Sequence, residues 1–160
     1  MPIIKIEEAT IDDSALILRF VKELARYEKA EHEVVATESD IEKSLFGQDS
    51  TTHAVICSVN NEPVGFAVYF FNYSTWLGKH GLYLEDLFIS QEYRSVGAGK
   101  ALLKHLAKIA VDEGCGRFEW SVLDWNEPAI KFYKSLGAKA KHEWVGYQLT
   151  GHELTALAES

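Results

Sequence analysis

The residues best equipped for chemistry lie in one stretch, Gln91-Glu-Tyr-Arg-Ser-Val-Gly-Ala-Gly-Lys100. It follows a β-rich run ending at Ile89 and precedes a long helical pattern. Gly97 and Gly99 stand where that pattern starts. Glycines there let the backbone approach an anion closely, and the N–H groups of a first turn have no intrahelical partners. The helix dipole adds positive potential at the same end. Arg94 and Lys100 add formal charge, so the stretch reads as a pyrophosphate cradle. Two other cradles are excluded. G-x-x-x-x-G-K-[ST], the nucleoside triphosphatase loop, is absent. A dinucleotide fingerprint needs a third glycine at position 102, which is Leu102. Taken by itself, the loop reads equally well as a glycine-softened turn before a surface helix.

A second chemical signal has the opposite sign. Tyr27–Asp40 sets Glu28, Glu31, Glu33, Glu38 and Asp40 against Lys29. Glu38 and Asp40 fall in a helical first turn, where acids complement the dipole. Glu28 has no such duty and stays a candidate for a cationic partner. The whole chain carries 24 acidic and 16 basic residues, a net charge of −8. That balance disfavours nucleic acid and anionic membranes as partners and favours cations. The six histidines form no H-x-x-x-H pair, and the two cysteines, Cys57 and Cys115, form no CxxC pair. No metal site is expected. The cysteines read as free thiols in a reducing, cytoplasmic compartment. MPIIKIEEAT lacks the pattern of a signal peptide, and no apolar run approaches the ~20 residues of a membrane span.

The elements that must hold these residues follow from periodicity. Ile3–Glu7 alternates as a short strand. Thr10-Ile-Asp-Asp13 resembles a capping box, with Ile17, Phe20, Val21 and Leu24 on one helical face behind it. Thr37-Glu-Ser-Asp40 opens a second helix, with Gly47 as its C′ residue. Thr52–Val59 and Val64–Tyr73 form a hairpin around Asn60-Asn-Glu-Pro63, and Leu82–Ile89 is a third strand of the set. Gly97–Glu113 is a long helix with Leu102, Leu106 and Ile109 on one stripe and Gly114 as its stop. Phe118–Leu123 reads as a strand. Pro128 suits the first turn of a helix that ends at Gly137. Glu143–Thr150 reads as a last strand, and the tail beyond Gly151 is ambiguous. The order β, α, α, β, β, β, α, β, α, β makes one α/β domain over residues 1–160, a mixed sheet with helices on both faces.

Arg94-x-x-Gly97-x-Gly99 resembles the (Arg/Gln)-x-x-Gly-x-(Gly/Ala) signature of the GNAT acetyltransferases, which holds the pyrophosphate of acetyl-CoA. Glu23-Leu-Ala-Arg-Tyr-Glu28, Tyr73-Ser-Thr-Trp-Leu-Gly78, Leu82-Tyr-Leu-Glu-Asp86 and Asp124-Trp-Asn-Glu-Pro128 with Phe132-Tyr133 are closer still. They resemble the spermidine/spermine (diamine) N-acetyltransferases and their relatives that acetylate thialysine. The likeness runs from Ile3 to about Leu149. Ser95 departs from it, standing where these enzymes usually carry Gly, and Lys139–His142 is shorter than in the animal polyamine enzymes.

The resemblance implies a GNAT-like, mostly antiparallel sheet, a homodimer, and acetyl-CoA as co-substrate. It assigns Leu87, Phe88 and Ile89, then Arg94, Ser95, Val96, Gly97, Ala98, Gly99 and Lys100, then Asn126, Pro128 and Ala129, to the CoA. It places Tyr27, Glu28, Trp76, Glu85, Glu119, Trp120 and Ser121 on the acceptor side. Acetyl transfer needs a neutral amine, and a primary alkyl amine with a pKa of ~10.4 is neutral in only about one molecule in 2,000 at pH 7. Glu85 is the implied proton acceptor, although a lone Glu on a half-buried strand is more often a solvated edge carboxylate. A regular strand puts Asp86 on the opposite face, so the two carboxylates are not expected to share one role. Tyr133 is implied to reach the CoA sulfur and protonate the leaving thiolate. Its plain alternative is a core aromatic beside Phe132. Asn126 also suits a helix N-cap. The leading expectation is a polyamine or diamine N-acetyltransferase. The alternatives are an enzyme for thialysine or another lysine-like amino acid, and a non-catalytic CoA sensor.

Overall fold

Thr10 and Thr37 start helices through the spacing that their acidic partners allow. The Thr10 N–H donates to Asp13 Oδ2 at 2.8 Å, across a short 3₁₀ turn that leads into α1 (Ser14–Tyr27). The Thr37 N–H donates to Asp40 Oδ2 at 2.9 Å, while the Asp40 N–H donates back to Thr37 Oγ1 at 3.1 Å, opening α2 (Glu38–Phe46). Reciprocal bonds of this kind satisfy N–H groups that a helix leaves orphaned. Gly47 ends α2 in an extended conformation rather than a left-handed one.

The computed structural model describes residues 1–160, which form two compact units, residues 1–121 and 122–160. The first contains a five-stranded sheet in the order β1 (Ile4–Glu8), β2 (Thr52–Val59), β3 (Glu62–Ser74), β4 (Lys79–Ile89) and β5 (Phe118–Glu119). All pairings are antiparallel except β4 with β5. Asn60 and Asn61 take φ of 51° and 68°, the left-handed pair that a two-residue hairpin turn demands. Ile17 and Phe20 of α1 and Ile41 of α2 pack with Ala54, Ile56, Phe66 and Phe88 on one sheet face. Strand alternation sends Val55, Cys57 and Ala67 to the other face. There α3 (Ala98–Asp112) crosses β4, β1 and β2, burying Leu102, Leu103 and Leu106. Helices therefore cover both faces, as expected. Gly114 stops α3 at φ 73°.

The second unit holds α4 (Glu127–Ser135) and α5 (Gly151–Glu159). Asn126 caps α4, its Oδ1 accepting from the Ala129 N–H at 3.4 Å, with Pro128 in the first turn. Gly137 follows at φ 93°. Two expectations are corrected. Phe118–Leu123 is paired only at Phe118 and Glu119. Glu143–Thr150 is not a strand, and the ambiguous tail is α5. The order therefore ends in helix, helix rather than helix, strand. β-propensity describes how well a side chain suits a pleated, packed surface, so a β-rich run with no ladder partner stays irregular.

Candidate active site

The stretch between β4 and α3 is built as an anion cradle in its backbone. Gly97 is the N-cap of α3 at φ 89°, with no side-chain cap. The first intrahelical bond runs from the Ala101 N–H to the Gly97 carbonyl at 3.0 Å. The N–H groups of Ala98, Gly99 and Lys100 therefore precede the helical ladder, the condition for binding a phosphate. Ser95 also lies in the left-handed region, at φ 78°. Ser95 thus holds a backbone conformation that glycine adopts freely and other residues adopt only at a cost. Val96 and Lys100 are exposed and Ala98 is buried. Tyr93 ties the loop to the β3 start, its hydroxyl donating to Glu62 Oε2 at 2.7 Å.

Arg94 is held from three sides. Its Nε donates to the Ile89 carbonyl at 3.2 Å. Its guanidinium carbon lies 4.7 Å from the Tyr27 ring centroid and 5.7 Å from that of Phe88. Tyr27 is the last residue of α1, so the β4–α3 loop and the end of α1 touch directly.

The register of β4 corrects the reading of Glu85 and Asp86. Val68 pairs with Asp86, but Tyr69 pairs with Leu84, leaving Glu85 as the extra residue of a bulge. A bulge breaks side-chain alternation and bends the strand locally. The assumption that put Asp86 on the opposite face therefore fails here. Glu85 is exposed and Asp86 half-buried. Burial, followed by the charges of Glu85 and Glu28, pushes the Asp86 carboxyl up to about 6. Burial also raises the Glu28 carboxyl. The acids nearest in effect are thus Glu28, Glu85 and Asp86. Asp86 is the residue that sequence reasoning missed, because nothing in Tyr-Leu-Glu-Asp announces a bulge.

β5 pairs with β4 only at Leu82 and Tyr83, so Leu84–Ile89 run on with no ladder along that edge. Leu87, Phe88 and Ile89 are laddered only to Ala67, Phe66 and Gly65 of β3. Backbone groups along the open edge suit an extended, amide-bearing ligand arm.

The remaining expected positions divide. Glu119 pairs with Arg117, Nε to Oε1 at 3.6 Å. Trp120 stands edge-on to Phe118 with ring centroids 5.0 Å apart. Ser121 Oγ lies 2.9 Å from the Tyr83 hydroxyl. Trp76 is not brought to the acids. It sits in the β3–β4 turn, 86% exposed, with the six strand steps from Lys79 to Glu85 spanning roughly 20 Å. In the second unit, Tyr133 is half-buried in α4, its ring 5.9 Å from Phe132, and Pro128 and Ala129 form the first turn. Cys57 is buried and its thiol pushed up to about 11, away from thiolate chemistry. Cys115 is half-buried, its thiol also raised, by burial and by Glu113. No group of His, Cys, Asp and Glu is arranged to hold a metal, and no helix is long and apolar enough to cross a membrane.

Comparison with known proteins supplies the chemical context. Thialysine N-epsilon-acetyltransferase of Sus scrofa is 36% identical over 169 residues, covering 99% of this chain and 99% of that protein. Spermidine/spermine N(1)-acetyltransferase-like protein 1 of Homo sapiens is 33% identical over 99% of this chain, which spans 24% of that longer protein. Among solved structures, the integron cassette protein VCH_CASS6 from the V. cholerae mobile metagenome superposes with a TM-score of 0.82 at 31% identity, covering 98% of each chain. A family model described as acetyltransferase (GNAT) matches residues 18–138, which include the cradle, the β4 bulge and α4. With that match and that degree of identity, the chain belongs to the GNAT acetyltransferase family and is an N-acetyltransferase.

Proposed function

We propose that this protein transfers acetyl from acetyl-CoA to a primary amine of a small molecule that carries a second positive charge. The observation that carries the reading is the first turn of α3, where Ala98, Gly99 and Lys100 offer unladdered N–H groups behind a left-handed Gly97. Arg94 and Lys100 add charge for the pyrophosphate, and the open edge of β4 at Leu87, Phe88 and Ile89 suits the pantetheine amides. Asn126, Pro128 and Ala129 complete the CoA contacts that the family likeness implies. Acetyl-CoA supplies a thioester carbonyl carbon. The amine nitrogen attacks that carbon directly, forming the amide as the C–S bond breaks. Glu85 accepts the amine proton, directly or through water, and Tyr133 donates a proton to the leaving thiolate. No acetyl-cysteine step is needed, in keeping with the buried Cys57. The protein works in one domain, as a homodimer, in a cytoplasmic setting that leaves both thiols reduced.

Glu28, Glu85 and Asp86 favour a polycationic acceptor, so polyamines and diamines lead. A second reading, an amino acid with a terminal amine, is favoured by the thialysine enzyme that covers this chain end to end. Such an acceptor needs a cation for its carboxylate. Arg26 and Lys29 are the candidates, and Arg26 is already engaged by Glu31, with Nη2–Oε2 at 2.5 Å, which weakens it for that duty. Incubation with acetyl-CoA and either spermidine or thialysine, followed by mass spectrometry of the products, separates the two. Faster acetylation of spermidine supports the polyamine reading, and faster acetylation of thialysine replaces it. Acetylation of neither removes both.

A further inference from the structure

We propose that Tyr27 is a positioning residue for Arg94, and that it acts on CoA affinity through that side chain. The inference rests on the reading of the β4–α3 loop as the CoA pyrophosphate site. Likeness to the diamine enzymes puts Tyr27 on the acceptor side, but its place in the fold points elsewhere. Ile17, Phe20, Leu24 and Tyr27 recur at helical spacing, so Tyr27 continues the apolar stripe of α1. Phe20 is fully buried, 5.7 Å from Phe66 and 6.4 Å from Phe88 between ring centroids. Phe88 in turn lies 5.7 Å from the Arg94 guanidinium carbon, and Tyr27 lies 4.7 Å from it. A row of packed rings thus leads from the core to the charged group of the cradle.

The end of α1 is fixed where this contact needs it. Lys29 adopts φ 61°. The Glu28 N–H donates to the Leu24 carbonyl at 2.9 Å, and the Ala30 N–H to the Ala25 carbonyl at 2.8 Å. The second bond closes the last turn in the manner of a Schellman motif. Tyr27 is therefore presented from a closed helix end and not from a loose loop.

The geometry at Arg94 shows what the ring does. The Nε bond to the Ile89 carbonyl uses the inner edge of the guanidinium, and the Tyr27 and Phe88 ring centroids lie 4.7 and 5.7 Å from its carbon. That hydrogen bond leaves the terminal Nη edge, the fork that grips a phosphate. An arginine on an exposed loop otherwise loses rotamer freedom when it binds an anion. Here the ring and the carbonyl have already restricted it. Removing the ring restores that freedom and weakens phosphate binding with no change in the cradle itself.

The test is calorimetric titration of CoA, with steady-state kinetics run in parallel. Wild-type, Tyr27→Leu, Tyr27→Phe, Arg94→Ala and the Tyr27→Leu/Arg94→Ala pair are compared. Circular dichroism selects the variants that remain native, and Tyr27→Phe keeps the question open if Leu is not accepted. Tyr27→Leu is expected to weaken CoA about threefold to tenfold, the range for losing one cation–π contact. Tyr27→Phe retains the ring and is expected to bind CoA like wild-type. In the double variant the loss at Tyr27 vanishes, because Arg94 is already gone. The loss of kcat/KM in Tyr27→Leu is expected to be smaller for acetyl-pantetheine, which has no pyrophosphate, than for acetyl-CoA. An unchanged CoA affinity in Tyr27→Leu, with KM raised only for the amine, returns Tyr27 to the acceptor side and overturns the inference. Additive losses in the double variant, or weakened CoA binding in Tyr27→Phe, also overturn it. Failure of the wild-type protein to bind CoA removes the reading of the loop as well.

Discussion

Two regions of the first unit present opposite charge and are built in opposite ways. The β4–α3 cradle offers backbone N–H groups, a left-handed Gly97 and a braced Arg94. Backbone N–H groups do not titrate near neutral pH. The acidic region at the α1 end and the β4 bulge relies on carboxylates, and burial, followed by the charges of Glu85 and Glu28, pushes Asp86 up to about 6. A backbone cradle is therefore insensitive to pH but sensitive to any residue that cannot adopt its φ. A carboxylate set tolerates backbone change but depends on pH and salt. The comparison predicts that steric substitutions act on CoA and that protonation acts on the acceptor.

The largest effect is expected at the leaving group, which belongs to neither region. Tyr133→Phe should lower kcat by about 10²–10⁴ while CoA affinity is kept, as for loss of a general acid. An unchanged kcat, with chemistry rate-limiting, assigns Tyr133 to packing beside Phe132. Gly97→Val comes next and attacks the cradle. No atom lies within 4 Å of an added Cβ, so the obstacle is the φ of 89°. A β-branched residue is strained there and also intrudes on an approaching pyrophosphate. Calorimetry should detect no CoA binding while circular dichroism remains native. Normal affinity would show that the cradle is not the CoA site.

Protonation should act on the acidic region alone. The Asp86 carboxyl is raised above its unfolded value, so its native state holds the proton more tightly. The stability from this group is fully present below about pH 4 and is lost as pH rises through about 6. Asp86→Asn carries no such cost. Its stability relative to wild-type should therefore rise between pH 4 and pH 8, by about 2 kcal/mol in urea unfolding. Over the same interval, wild-type affinity for a cationic acceptor should rise as Asp86 ionises. A stability difference that is flat with pH would contradict the burial of Asp86 and its crowding by Glu85 and Glu28. The smallest effect is at Ser95. Left-handed backbone costs a non-glycine residue roughly 1–2 kcal/mol, partly offset by the greater unfolded entropy of Gly. Ser95→Gly should raise Tm by about 2–4 °C. A lowered Tm would mean that the serine side chain holds the loop.

The cradle was legible because its signals are local. Gly97, the helix after it and the flanking cations are read from spacing, and the capping pairs Thr10–Asp13 and Thr37–Asp40 form as their spacing predicts. The acidic region was only half legible. Glu28 and Glu85 stood out by likeness to the diamine enzymes, but the bulge that groups Asp86 with them depends on how β3 and β4 pair, a non-local property. Glu143–Thr150 failed for the same reason, since strand-forming residues specify a strand only when a ladder receives them. Tyr27 was read only as an acceptor-side residue by likeness, because its contact with Arg94 joins residues far apart in the chain.

The central claim is acetyl transfer to an amine drawn by its second charge, and thiol release from acetyl-CoA measures it most directly. Initial rates with spermidine and with butylamine, at low and high salt, give kcat/KM for a polycation and a monoamine. One charge pair at 4 Å is worth about 1 kcal/mol even in water, or roughly fivefold. The account predicts thiol release with both amines, spermidine ahead by at least that factor at low salt, and a gap that narrows as salt screens the acids. Equal rates for the two amines at low salt would contradict the acidic acceptor region, and absence of thiol release with any primary amine would contradict the claim itself.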